Sequence, residues 1–436
     1  GMVQFTPTYF TKQLGFVINQ LSGAGCDHMG NFPTLPIAGA LRVSPDSILN
    51  MQTPVGKEIG TAGYYAATVD HSIRAELTVT ERTGMARYTF SSKEKQGTVI
   101  IGGGVAATSI QVAAIKITGP HSCEGYAEGG AFCGIPTPYK VYFVAEFDAD
   151  AESFGTWKEE RLHANHTFAE GSHSGVYFTF PLKEGNQAVQ YKIGVSYVSV
   201  ENARENLRVE NPAWDFSAVR QATQDKWNEY LGKIEVEGDN EDRQMQFYTH
   251  LYRSLIHPNV CSDVNGEYMG ADSQVHKIAR KFYTSFSNWD TYRTQTALIA
   301  MLAPEETSDI VMSHYLFAEQ SGGGFPRWVL ANIETGVMQG DPTPILVANA
   351  YAFGARNYDP RTLLRTMRYG AEVPGANSQG VLTRPGLEQY LEKGYYDASI
   401  LLEYTSSDFA IGRFALQACN DEPVCNWYTQ RAMNWK

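Results

Sequence analysis

Apolar and polar residues alternate through the first half of the chain with the two-residue period of half-buried β-structure. Arg74–Glu81, Met85–Ser91, Pro138–Phe147, Gly175–Phe180 and Ala188–Val200 all follow it. In the last run Val189, Tyr191, Ile193, Val195 and Tyr197 fall on one sheet face. The alternation lapses at Ser199, where the strand is expected to end. Gly, Pro and Asn clusters such as Gly102-Gly103-Gly104 separate the runs, with no helical period between them. Short strands joined by turns predict a sandwich rather than a parallel α/β sheet.

Near residue 214 the apolar spacing changes to three and four. Asp215 can cap a helix over Ser217–Gly232, whose alternating charges suit a segment lying between domains. Further helices are expected at Glu241–His257, Ser308–Gln320, Ile345–Asn357, Arg361–Gly370 and Ser406–Ala418. Pro360 and Gly370 mark the two ends of one of them. The expected organisation is a β-sandwich domain (1–212), a helical linker (213–240) and a helical domain (241–436).

A chain of 436 residues exceeds one ordinary core, consistent with that division. Its 35 Lys and Arg face 47 Asp and Glu with no basic run, which argues against a nucleic-acid partner. No stretch approaches the roughly 20 apolar residues of a membrane span, so no membrane partner is expected either. The start, GMVQFTPTYF, lacks the segments of a signal peptide. Cys123 and Cys133 flank one short loop, Cys419 and Cys425 another, and Cys26 and Cys261 remain. Such usage resembles that of secreted disulfide proteins, and no CxxC or His spacing suggests zinc.

Candidate chemistry concentrates in the loops from about 257 to 341. Trp289, Asp290 and Arg293 lie within five residues. An indole offers a flat apolar face to a sugar ring, a carboxylate accepts from hydroxyl pairs, and a guanidinium donates to them. The competing reading is a helix start capped by Asn288 or Asp290, with Trp289 in the core. Asp341 follows Gly340 at another expected helix start, so capping competes there too. Glu403 and Asp408 fall in a helical stretch, where a solvated face or an internal ion pair is the ordinary explanation. Asp263 precedes the turn Asn265-Gly266, and turn chemistry explains it equally well. Gly322–Gly324 is followed by no GKS or GKT, which excludes a phosphate loop.

FSNWDTYRTQTALIAMLAPEETSDI, GGGFPRWV and MQGDPTPILVANAYAFG, with HPNVCSDVNGEY and LLEYTSSDFAIGRFA, carry a resemblance. They are similar to glycoside hydrolase family 92, the calcium-dependent exo-acting α-mannosidases, well over residues 205–436 and loosely before. The resemblance implies an N-terminal β-sandwich, a helical linker and an (α/α)6-barrel-type helical domain. About eight helix candidates follow the linker where six hairpins need twelve, so the ring is expected to be incomplete. It also implies a loop near the sugar, Gly25–Pro33 with His28, although Thr34-Leu35 after Pro33 departs from the family's Phe-Pro-Gly-Ala form.

The implied reaction is inverting hydrolysis of terminal α-linked mannose from N-glycans or mannans, with one carboxylic acid protonating the leaving oxygen and another carboxylate activating water. Trp289, Asp290, Arg293, Asp341 and His28 are the implied substrate-binding residues. The Glu-Gly-Asn-Ala-Trp-like and Gly-Asn-Asp-Asp-like motifs that carry the family's acid and base do not occur. Both groups, and the ligands of the implied calcium ion, are expected beyond Lys436. A secreted or periplasmic monomer is expected. The alternatives are another (α/α)6 glycosidase or phosphorylase using carboxylates among Asp290, Asp341, Glu403 and Asp408, or a mannoside-binding protein without catalysis.

Overall fold

Along Ala188–Ser196 the alternating pattern becomes a strand in which Val189, Tyr191, Ile193 and Val195 are 2% exposed or less. The structure, a computed structural model, describes residues 1–7, 15–21, 24–46, 55–70, 72–184 and 187–436. They form two compact units. The first holds Gly1–Ile234 with Asp263–Asn265, and the second Glu235–Ser262 with Gly266–Lys436.

The first unit is a sandwich of two antiparallel sheets. The larger runs in space through Phe168–Glu170, Ile110–Gly119, Ser122–Phe132, Ile135–Phe147, Ala188–Ser196, Thr83–Thr89, Ile73–Val79, Tyr64–Val69 and Val55–Thr61. The smaller contains Thr6–Pro7, Phe16–Val17, Thr34–Ala38, Gln96–Gly102, Ser174–Pro181, Ser153–Lys158 and Arg161–Ala164. Aromatic side chains fill the space between them. Phe147 of the larger sheet lies 5.0 and 4.9 Å from Phe178 and Phe180 of the smaller, and such pairs add to the burial of apolar area.

The short cysteine loops of the sequence are not bridged. Ser122–Phe132 is a single extended strand, which sets Cys123 and Cys133 roughly 30 Å apart at 3.3 Å per residue. A disulfide needs Cα atoms within about 7 Å. Cys133 pairs instead with Cys26, at a Cα separation of 5.3 Å. Cys123, Cys261, Cys419 and Cys425 form no disulfide with described residues.

Two helices lie on the larger sheet. One, Val200–Glu210, begins before the change of spacing seen in the sequence. Ser199 caps it by accepting from the Asn202 amide at 3.0 Å. Ala203 and Leu207 pack against Val144. At Gly194 a Cβ would stand 2.4 Å from the Ala203 carbonyl oxygen, so this approach admits only glycine. The other, Phe216–Leu231, is the expected linker helix within one residue at each end. It belongs to the sandwich unit rather than lying between units: Phe216 packs with Tyr64, Ala66 and Met85, and Arg220 sits 3.6 Å above the Tyr64 ring.

The second unit is helical. Glu241–Ser254, Gln295–Leu302, Pro304–Ser321, Thr343–Ala352, Pro360–Glu372, Ala398–Cys419 and Glu422–Arg431 are its longer helices. Val311, Phe325, Leu346, Leu363, Met367, Ile411, Phe414 and Tyr428 share one core cluster. The helix expected from Ser406 starts at Ala398, where Asp397 accepts from the Ser399 amide. Small strands break the helical pattern and position the loops between helices. Phe286–Ser287 pairs with Trp328–Leu330, which pairs with Ile333–Glu334.

Candidate functional site

That three-stranded ribbon brings the separated sequence motifs together. Ser287 pairs with Trp328, and the short helix Asn288–Thr291 starts immediately after it. Asn288 does not cap this helix. Its amide nitrogen Nδ2 donates to the Thr343 hydroxyl at 2.8 Å and the Pro326 carbonyl at 3.1 Å. Arg327 donates to the carbonyls of Met338 and Leu382, each at 3.0 Å. Glu334 accepts from the backbone amides of Arg327, Trp328 and Gly336. These bonds join Ser287–Arg293, Gly322–Trp328 and Met338–Asp341 into one framework.

On it stands a group of three side chains. The Trp289 indole N–H donates to Glu403 Oε1 at 3.1 Å. The Arg293 guanidinium lies 4.6 Å from the Trp289 ring centre and 3.9 Å from the same carboxylate oxygen. Trp289 is half-buried, and Asp290 and Arg293 are exposed. Glu403 Oε2 is buried, with no hydrogen-bond partner among the described residues. Gly340, at φ 77°, makes this arrangement possible, because a Cβ there would come within 2.5 Å of Glu403 Cβ. Partial burial raises the Asp290 carboxyl above the usual Asp value, while Arg293 and the Trp328 side chain oppose the rise. The arrangement combines a held aromatic face, a guanidinium and a carboxylate at an accessible edge.

Asp341 lies one residue from Gly340 but faces inward. Arg384 Nε donates to its Oδ2 at 2.8 Å, and Arg384 Nη1 donates to Asp408 Oδ1 at 2.7 Å. Asp408 also accepts from Arg431 and from the Tyr390 hydroxyl, the latter at 2.7 Å. Burial disfavours the Arg384 cation, but Asp408 and Asp341 outweigh it and hold the group more firmly protonated than usual. Asp341 and Asp408 therefore form a buried ion network. Asp408 has the internal ion pair expected of it, whereas Asp341 neither caps a helix nor faces solvent.

His28, the remaining sequence candidate, is 1% exposed in the sandwich unit. Its Nδ1 donates to the Cys26 carbonyl at 2.6 Å and its Nε2 accepts from the Leu21 amide at 2.8 Å. Burial lowers its pKa, so the neutral ring serves the backbone of this loop. Asp263 is not a turn residue. It is buried in the same unit and accepts from Ser196, Asn202 and Asn206 at 2.6–2.8 Å. The carboxylates present do not fit an oxygen cage for calcium, which takes six to eight oxygen ligands. Asp341 and Asp408 face guanidinium groups and Glu334 backbone amides. Among the described residues no three His, Cys, Asp or Glu converge.

Glu334, Arg384 and Arg431 were not marked by the sequence, and Glu403 was not marked as the partner of Trp289. Each acts on residues far away in the chain, and no local spacing signals that.

Comparison with known proteins bears on the family and the fold. The family model for the glycosyl hydrolase family 92 catalytic domain matches residues 202–436, and that for the family's N-terminal domain matches residues 6–196. A curated relative, an uncharacterized secreted glycosidase of Arthroderma benhamiae, is 26% identical over 304 residues, 62% of this chain and 37% of its own. A family 92 α-mannosidase of Bacteroides thetaiotaomicron superposes with a TM-score of 0.87 at 23% identity, over 97% of this chain and 58% of that one. A family 92 inverting mannosidase of the same species gives 0.84 at 23% identity, over 100% and 64%. The fold is thus shared, and this chain spans 37% of the curated relative and 58% and 64% of the two solved structures. With both family models matched in order, and the catalytic one over more than half its residues, the chain belongs to glycosyl hydrolase family 92.

Proposed function

We propose that the chain carries the mannoside-holding part of an exo-acting α-mannosidase that removes terminal α-linked mannose from N-glycans or mannans. The observation that carries this is the Trp289 indole held by Glu403, with Arg293 over one face. A pyranose would stack on the other face. Arg293 and Asp290 would bond its hydroxyl pairs as donor and acceptor. Family membership supports the reading, as do structural neighbours described as α-mannosidases, one of them in complex with mannoimidazole.

The proposal places the general acid and base outside residues 1–436, because arginines occupy Asp341 and Asp408. An inverting course and dependence on calcium also belong to the proposal. The family resemblance supports both, and a neighbour described as inverting supports the first. A secreted or periplasmic location is supported by the relative described as secreted and by the Cys26–Cys133 disulfide.

The test is mannose release from α-1,2-mannobiose by the complete gene product, with and without a calcium chelator, the first-formed anomer being read by proton NMR. Chelator-sensitive release of β-mannose is expected. Release that ignores the chelator would transfer the chemistry to Asp290 and Glu403 as acid and base. Binding without release would leave a mannoside-binding protein.

A further inference from the structure

Between the helices Val200–Glu210 and Phe216–Leu231 the chain crosses the larger sheet of the sandwich and leaves an open cleft of about 330 Å³. Arg87 and Gln190, partners across adjacent strands, line it with Asp148, while Trp214, Asp215 and Ser217 contribute from the crossing segment. The arrangement is held in place. Gln190 donates to both oxygens of Asp148, at 2.9 and 3.0 Å. Arg87 Nε donates to Glu76 at 2.9 Å, and its guanidinium lies 4.7 Å from the Phe216 ring. Lys192 Nζ stands 4.0 Å from the Trp214 ring.

Considerable hydrogen-bonding capacity is left over. The terminal nitrogens of Arg87, Gln190 Oε1, Asp215 Oδ2, the Ser217 hydroxyl and the Trp214 indole N–H make no hydrogen bond to described residues. Donors and acceptors thus line, beside an indole held by Lys192 and by the Tyr64–Phe216 cluster, a cleft at the lower end of the size range of ligand pockets. Asp148 and Asp215 face Arg87, already paired with Glu76, and Lys192, already 3.8 Å from Glu146, so carboxylates are in excess, which disfavours an anion. We propose that this cleft binds a neutral pyranose of a polysaccharide, as a second, non-catalytic saccharide site separate from Trp289. The inference does not depend on the proposed activity.

Native gels cast with soluble mannan, glucan or xylan test it. The wild-type protein is expected to be retarded by at least one of them, and a Trp289→Ala, Arg293→Ala double variant still to be retarded by the same polymer. Trp214→Ala removes the indole. Ser217→Trp fills the cleft while leaving the packing beneath intact, which guards against misfolding of the first variant. Both are expected to weaken binding at least about tenfold. Equal retardation of wild type and Ser217→Trp would overturn the proposal. So would no retardation by any of the three polymers, or release of the bound protein by millimolar inorganic phosphate.

Discussion

Glu403 gives one oxygen to the Trp289 indole and has the other buried without a described partner. A hydrogen bond to a charged group contributes about 1.5–3 kcal/mol, and here that energy orients the Trp289 indole. We expect Glu403→Ala to lower kcat/KM on mannobiose by about ten- to a hundredfold, mainly through KM. Glu403→Gln keeps a carbonyl acceptor and should recover most of the loss. A fall confined to kcat, with no recovery by Gln, would instead mark Glu403 as an acid or base. His314 presents a different case. Its ring is fully buried against Phe286, and burial lowers its pKa to about 4. The unfolded chain, with a His pKa near 6.5, takes up that proton first. Stability should therefore fall as pH falls from about 6.5 to 4, by up to about 3 kcal/mol. Urea midpoints at pH 7 and pH 4.5 should differ less in His314→Gln than in the wild type.

The helix Ala398–Cys419 depends on a buried ion network as much as on apolar packing. Asp408 neutralises Arg384 and Arg431, both of them buried. Removing the shared carboxylate leaves Arg431 without its acid partner and Arg384 with Asp341 alone. Asp408→Ala should destabilise the protein by about 3–5 kcal/mol, measured as a loss in chemical denaturation. A change within about 1 kcal/mol would contradict the geometry. The helix Val200–Glu210 shows why some elements could not be read from the sequence. Its buried side consists of Asn202, Ala203, Asn206 and Leu207. Asn202 and Asn206 lie inside because Asp263, some sixty residues later, accepts from both. Without that partner the stripe reads as polar, and the apolar period falls below notice.

At the scale of the whole chain, one covalent link stands out: Cys26–Cys133 closes a loop of sequence separation 107. Linking so distant a pair restricts the unfolded chain, and removing a native disulfide typically costs about 2–5 kcal/mol. Cys26→Ser should lower the thermal midpoint of the protein by about 5–15 °C. Dithiothreitol should do the same to the wild type and leave the variant unaffected. A midpoint unchanged by both treatments would exclude this pairing. The net charge of −12 and the other cysteines contribute nothing comparable that can be located.

Much of the architecture follows from local pattern. Alternation along Ala188–Ser196 marked Val189, Tyr191, Ile193 and Val195 as one buried face, because a strand turns successive residues to opposite faces; Lys192 and Ser196 on the other face are buried too, by what covers the sheet. Caps and period placed the helix Phe216–Leu231 to within one residue at each end, whereas the helix expected from Ser406 starts at Ala398. Partnership was a different matter. That Trp289 bonds Glu403 across 114 residues, that Cys26 rather than Cys123 meets Cys133, and that Asp341 belongs to Arg384 were decided only in three dimensions. Local pattern records which apolar residues share a face, because that periodicity is a property of their own segment. Which charged, aromatic or sulfur group a residue meets depends on how distant segments pack, and no spacing within either segment carries that information.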